Sequence, residues 1–200
     1  MNRATIAIAA GCLLSGMPAV AGDPAPPAVQ AAPDARPPCR EDPRAREFDF
    51  WTGRFRVEDR DGNLLGENTI TRAQEGCVLV EHWSGVRGGT GMSMNFYDPT
   101  RGQWRQVWVS PGVLIEIAGG LAQGSMVLEG HAYYRATGEK RPFRGTWTPL
   151  ADGAVRQFFE ESADGGRSFA PWFEGFYRPA PGPDAGDAES AQGAPPDLNP

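Results

Sequence analysis

The sequence predicts an antiparallel all-β domain over residues 39–178, an up-and-down barrel of about ten strands, and three features predict it. Between those positions the chain is a succession of short segments rich in Val, Ile, Phe, Tyr, Trp and Thr, separated by Gly and Asp turns at the interval expected of a sandwich or barrel. Within the segments, apolar and polar residues alternate with a period of two. No stretch of a dozen residues shows a helical stripe, and the 26 glycines would weaken any long helix. Strands joined by short hairpins leave two exposed edges unless the sheet closes on itself, so a meander of ten strands is expected to close.

The first strand is expected over Trp51–Glu58, with Trp51, Phe55 and Val57 on one face and Arg54, Arg56 and Glu58 on the other. Asp61, Gly62 and Asn63 tolerate positive φ and form the turn to a second strand over Leu64–Arg72. Gln74-Glu75-Gly76 leads to a third over Cys77–Val86, and Arg87-Gly88-Gly89 to a fourth over Thr90–Tyr97. The turn from Asp98 to Gly102 leads to Gln103–Ser110, and Leu114–Ala118, Ser125–Gly130, Arg141–Thr148, Ala154–Ser162 and Ser168–Arg178 complete the ten.

The ends differ in composition from this middle. Residues 1–21 open with Arg3, continue through an apolar stretch from Ala4 to Leu14 and close on Ala19-Val20-Ala21, the layout of a secretory signal with cleavage after Ala21. A lipoprotein reading would use Cys12, which falls too early in the stretch to suit it. Six prolines among alanines make residues 22–38 an expected disordered spacer, and residues 179–200 a disordered acidic tail with Asp184, Asp187, Glu189 and Asp197 and no basic residue. Loss of Arg3 with the signal lowers Lys+Arg from 19 to 18 against 25 acidic residues, a net charge of −7. Nucleic acid is not an expected partner of so acidic a chain, and no segment of the mature chain is expected to cross a membrane. Export to the periplasm or beyond places the two remaining cysteines, Cys39 and Cys77, in an oxidising compartment, where a Cys39–Cys77 disulfide is expected.

The alternation also says which residues share a face with the aromatic ones. Trp104, Gln106 and Trp108 fall together, as do Val155, Gln157, Phe159 and Glu161, and Leu79, Glu81 and Trp83. A sealed core has no use for Gln and Glu among Trp and Phe, since an unpaired buried polar group costs about 1–3 kcal/mol. A ligand cavity, mostly apolar with a few placed polar groups, has this composition. Trp83, Trp104, Gln106, Trp108, Gln157 and Glu161 are therefore the expected lining of a site for a small apolar or amphipathic molecule.

The run from Phe48 through Trp51 to Val57 resembles the opening strand of lipocalin-like (calycin) barrels, whose Gly-x-Trp appears here with Phe55 in the Trp place. More closely, the chain resembles a family of secreted bacterial lipocalin-like proteins of unknown function with a Phe-Asp-Phe-Trp start. The shared motifs are Gly76-Cys77, Glu81-His82-Trp83, the segment Trp104 to Val109, and Val155-Arg156-Gln157 through Gly166. The resemblance implies the barrel and no particular activity. The strand pattern also resembles that of haem-binding barrels of the nitrobindin type, which ligate iron through a histidine near the C-terminal strand; this chain has none there, so no haem is expected.

Only His82 and His131 are present, which leaves no multi-histidine metal site, and no cofactor is expected. Gly91 to Asn95 lacks the closing glycine of a nucleophile elbow. Ser162 to Phe169 resembles the Asp-box of sialidases, which is a hairpin turn and not a catalytic group. The remaining enzymatic reading is an isomerase, cyclase or decarboxylase using Glu81 and Glu161 as interior carboxylates with His82 nearby. A third reading is a structural or partner-binding module of the envelope, with Trp172 on a docking surface.

Overall fold

The computed structural model describes residues 38–180. The expected signal, the spacer up to residue 37 and the tail from residue 181 lie outside the described residues. The ten strands are β1 (Gly53–Glu58), β2 (Leu64–Ala73), β3 (Val78–Gly85), β4 (Thr90–Asp98), β5 (Gln103–Val109), β6 (Val113–Ala122), β7 (Ser125–Tyr134), β8 (Lys140–Pro149), β9 (Val155–Glu161) and β10 (Ala170–Pro179). Each pairs antiparallel with its neighbours in sequence, and β1 pairs with β10, so the sheet closes into the up-and-down barrel that the alternation predicts.

Three departures from the expected elements have local causes. Trp51 is not in β1; it ends a short 3-10 turn over Asp49–Trp51, and Gly53, the first residue of β1, turns the chain into the strand at φ +142°. β6 runs on to Ala122 and β7 to Tyr134, beyond the expected ends at Ala118 and Gly130. At Gly119 and Gly130 an added Cβ would stand 2.2 Å from the carbonyl oxygens of Val127 and Glu116, so these glycines let the two strands lie close rather than interrupting them.

Inward positions hold the core, and outward positions hold charge pairs that bridge neighbouring strands. Arg156 donates to Glu174 at 2.6 Å, Arg144 to Glu160 at 3.0 Å and Arg178 to Glu58 at 3.0 Å. Among the described residues no helix is long and apolar enough to cross a membrane.

One end of the barrel is stoppered. The segment before β1 folds over that end and inserts Phe48 and Trp51, both fully buried, against Trp104 and Trp147. Phe48 stacks on Trp51 at 5.0 Å and meets Trp104 and Trp147 edge-on at 5.6 and 5.2 Å, the offset and T-shaped geometries that aromatic quadrupoles favour. The Trp104 indole N–H donates to the Arg44 carbonyl at 3.0 Å. Arg72 of β2 pairs with Asp49 of the plug. The Cys39–Cys77 disulfide, closing 38 residues, ties the start of this segment to the turn before β3. The plug is thus fixed covalently, by charge and by packing.

Candidate functional site: an aromatic cavity with a buried carboxyl

The half of the barrel away from the plug is not filled. A cavity of about 230 Å³ lies there, walled by Trp83, Trp108, Phe159, Trp172, Phe173 and Tyr177. Ile115 adds an aliphatic surface, and Glu81 and Gln157 are its polar lining groups. Tyr177, Gln157 and Glu81 are almost fully buried, whereas Trp172 is 40% exposed and marks the mouth.

The sheet register positions these side chains. Trp83 of β3 faces Gly91 of β4, and the Trp108 ring crosses Gly91 so closely that a Cβ there would meet it at 2.2 Å. Gly66 on β2 makes the same room for Trp83, whose ring would stand 2.6 Å from an added Cβ. Both tryptophans can therefore lie along the wall instead of filling the space. On β10 the register shifts between Pro171 and Phe173, leaving Trp172 as the extra residue of a bulge. Because of it, Trp172 and Phe173 both line the cavity although they are adjacent in sequence.

Trp172 is held at the mouth by a polar chain along the rim. Its indole N–H donates to the Tyr134 hydroxyl at 3.0 Å, Tyr134 donates to Glu161, and Arg141 donates to the other Glu161 oxygen at 2.8 Å. Burial and the Glu161 carboxylate push the Tyr134 phenol up to about 12, so it stays a donor at any physiological pH.

Deeper in, a hydrogen-bonded network crosses the strands. Gln106 donates to Asn95 at 2.7 Å, Asn95 to Ser93 at 2.8 Å, and Ser93 to one oxygen of Glu81 at 2.6 Å. The Asn68 amide donates to the other Glu81 oxygen at 2.7 Å and contacts the Tyr177 hydroxyl at 3.3 Å. Burial raises the Glu81 carboxyl from 4.5 to about 7, against the lowering effect of the two donors. Among the described residues no Arg, Lys or His pairs with it. The Asn68 carbonyl oxygen and the Gln157 carbonyl oxygen are buried without a partner.

Of the residues expected to line the site, Trp83, Trp108 and Gln157 do so. Trp104 does not: its strand position puts it in the plug. Gln106 points inward but is spent on Asn95, and Glu161 is spent on the rim with Arg141 and Tyr134. The structure does not bring the proposed catalytic set together, because His82 alternates onto the outer face and is exposed, while Glu161 is bound at the rim. Trp172, half exposed, stands at the cavity mouth through the bulge. Ile115, Phe159, Phe173 and Tyr177 were not expected as lining residues. Phe159 shares its face with Gln157 in the sequence pattern and was the one of these open to inference. Ser162 to Ser168 forms the expected hairpin, in which Asp164 accepts from the backbone and side chain of Ser168 at 2.9 and 2.7 Å.

Chemically, the site offers π faces, one carboxyl group and one amide, in a space closed at the bottom and reachable at the top. No family model matches the chain, and no curated protein matches it.

Proposed function

We propose that this chain is an exported lipocalin-like binding protein that takes a small apolar or amphipathic molecule into the open half of its barrel. The observation that supports this most directly is the division of one interior into a packed aromatic plug and an aromatic-walled cavity of about 230 Å³. A barrel meant only to be a solid module could fill both halves with the same residue types, as its plug half does. The cavity composition, apolar walls with few polar groups, is that of ligand sites in general. Export rests on the signal-like N-terminus, and the disulfide supports it, since such bonds persist in oxidising compartments. The resemblance to secreted lipocalin-like proteins of unknown function agrees with this reading.

The test is native mass spectrometry of the protein purified from its own cell envelope, with Trp fluorescence during titration with fatty acids and flat aromatic molecules. A co-purified mass of a few hundred daltons, or saturable quenching of the cavity tryptophans, is the expected result. An empty protein whose fluorescence no probe moves would overturn the proposal.

A further inference from the structure

Glu81 is the only lining residue of the cavity that can bear a negative charge at neutral pH, and no lining residue bears a positive one. It is 2% exposed, and among the described residues it has no cationic partner. On the outer face Arg144, Arg156 and Arg178 are paired with carboxylates of neighbouring strands, whereas Glu81 faces no such cation. Its two oxygens each accept one hydrogen bond, from Ser93 and from Asn68. A carboxylate has about four acceptor sites, so roughly two remain for something in the cavity. The wall around it is indole and phenyl, whose faces carry partial negative charge and attract cations.

We infer that the cavity selects an organic ammonium: a small arylalkylamine, or the ammonium end of a longer amphiphile, with its nitrogen against Glu81 and its apolar part between Trp83, Trp108 and Phe159. This rests on the reading of the cavity as a ligand site and narrows it. A free carboxylic acid is disfavoured, since its anion would face the Glu81 carboxylate in a medium where like charges repel strongly. The volume of about 230 Å³ lies below the roughly 300 Å³ at which sites for drug-sized ligands begin, which limits the enclosed part to a small group. A longer amphiphile would leave the cavity past Trp172, the exposed residue of its lining.

Three probes of one size and different charge test this on the full chain at pH 8: 2-phenylethylammonium, 2-phenylethanol and phenylacetate, followed by Trp fluorescence and calorimetry. The ammonium is expected to bind at least tenfold more tightly than the alcohol, with phenylacetate weakest. In Glu81→Gln, whose folding is checked by its melting curve, ammonium and alcohol are expected within about threefold of each other. If the wild type binds the alcohol as tightly as the ammonium, the assignment of ligand charge is overturned while the cavity remains a binding site. A preference for the ammonium that persists in folded Glu81→Gln overturns the role of Glu81. If none of the three binds the wild type, this inference fails, and the ligand-site reading is decided separately by the co-purification and the fatty-acid and flat-aromatic titrations. The wild-type comparison decides the matter even if the variant does not fold.

Discussion

Replacing Glu81 by Gln is expected to stabilise the empty barrel at pH 8 and to remove a pH dependence that the wild type shows between about 4.5 and 7. Burial raises the Glu81 carboxyl from 4.5 to about 7. Between those values the folded protein holds a proton that the unfolded chain has released, so stability falls as pH rises through the window and levels off above it. At about 1.4 kcal/mol for each tenfold change, the loss is about 3 kcal/mol. Other groups titrate with the opposite sign. The lowered carboxylates of Asp164 and Glu174 lose stability below the ordinary carboxylate range, and His131, lowered by burial and Lys140, loses it as pH falls through the histidine range. Those contributions are common to both proteins and cancel in their difference. The assay is urea unfolding of wild type and Glu81→Gln at pH 4.5, 6, 7 and 8. The gap between the two is expected to move by about 3 kcal/mol in favour of the variant from the lowest to the highest pH. A gap that stays constant across the series would refute the argument, because it would mean that Glu81 titrates alike in the folded and unfolded chains. The network accommodates the amide: if Asn68 turns its side chain over, its unpartnered carbonyl oxygen accepts from the new N–H at position 81.

Other expectations follow from the plug, the staple and the walls. Reduction of the disulfide, or Cys39→Ser with Cys77→Ser, opens a 38-residue loop and should lower stability by about 4 kcal/mol on chain-entropy grounds, read from denaturant midpoints with and without reductant. Trp104→Ala removes an indole from the plug and should cost about 3–5 kcal/mol while leaving probe binding at the far cavity intact in whatever protein remains folded. Gly91→Ala puts a methyl where the Trp108 ring lies and should cost about 1–3 kcal/mol and weaken probe binding, since the ring must swing into the cavity. Tyr134→Phe removes the acceptor of the Trp172 indole and should change the Trp172 fluorescence environment with a stability loss of about 1 kcal/mol; an unmoved emission spectrum would show that the rim chain does not hold that ring.

The barrel was legible in the sequence because its signal is local. Alternation along β3, β5 and β9 identified Leu79, Glu81, Trp83, Trp104, Gln106, Trp108, Val155, Gln157 and Phe159 as sharing faces, and those faces are the inner ones. What alternation does not give is height along the barrel axis. Trp104 and Trp108 share a face on β5, yet the strand runs from the plugged end to the open one, so the first is packed into the plug and the second lines the cavity. Trp172 escaped for another reason: period two on β10 sets it opposite Phe173, and only the unpaired residue of the bulge brings both to the mouth. Trp51 reads as the beginning of a strand because it is a strand-favouring residue in period with Phe55 and Val57. Its role as a stopper depends on where the barrel end lies, which no local pattern encodes. Asn68 meets Glu81 across the neighbouring strands β2 and β3, whereas Tyr177 reaches Asn68, 109 residues away, only because the barrel closes between β1 and β10.

The buried network presents a choice that its geometry does not require. Gln106, Asn95, Ser93 and Asn68 could be satisfied by an amide at position 81 as well as by a carboxyl, and the amide would avoid a desolvation cost of about 3 kcal/mol at neutral pH. That cost is comparable to the stabilisation of about 4 kcal/mol expected from the disulfide at the other end of the barrel. A fold that departs from the most stable local solution at one interior position, beside a cavity and among π faces, has the pattern found where structure serves binding. A cationic ligand would offset the effect. Its charge would bring the Glu81 carboxyl back toward the ordinary range, so that the ionised form, which burdens the empty barrel, becomes the form that holds the ligand. The empty protein would then lose stability as pH rises to 7, while the loaded one would change little over the same window. Melting curves of the wild type across that window, with and without 2-phenylethylammonium, are expected to converge at pH 5 and to separate progressively towards pH 7, and curves that stay parallel would refute the coupling.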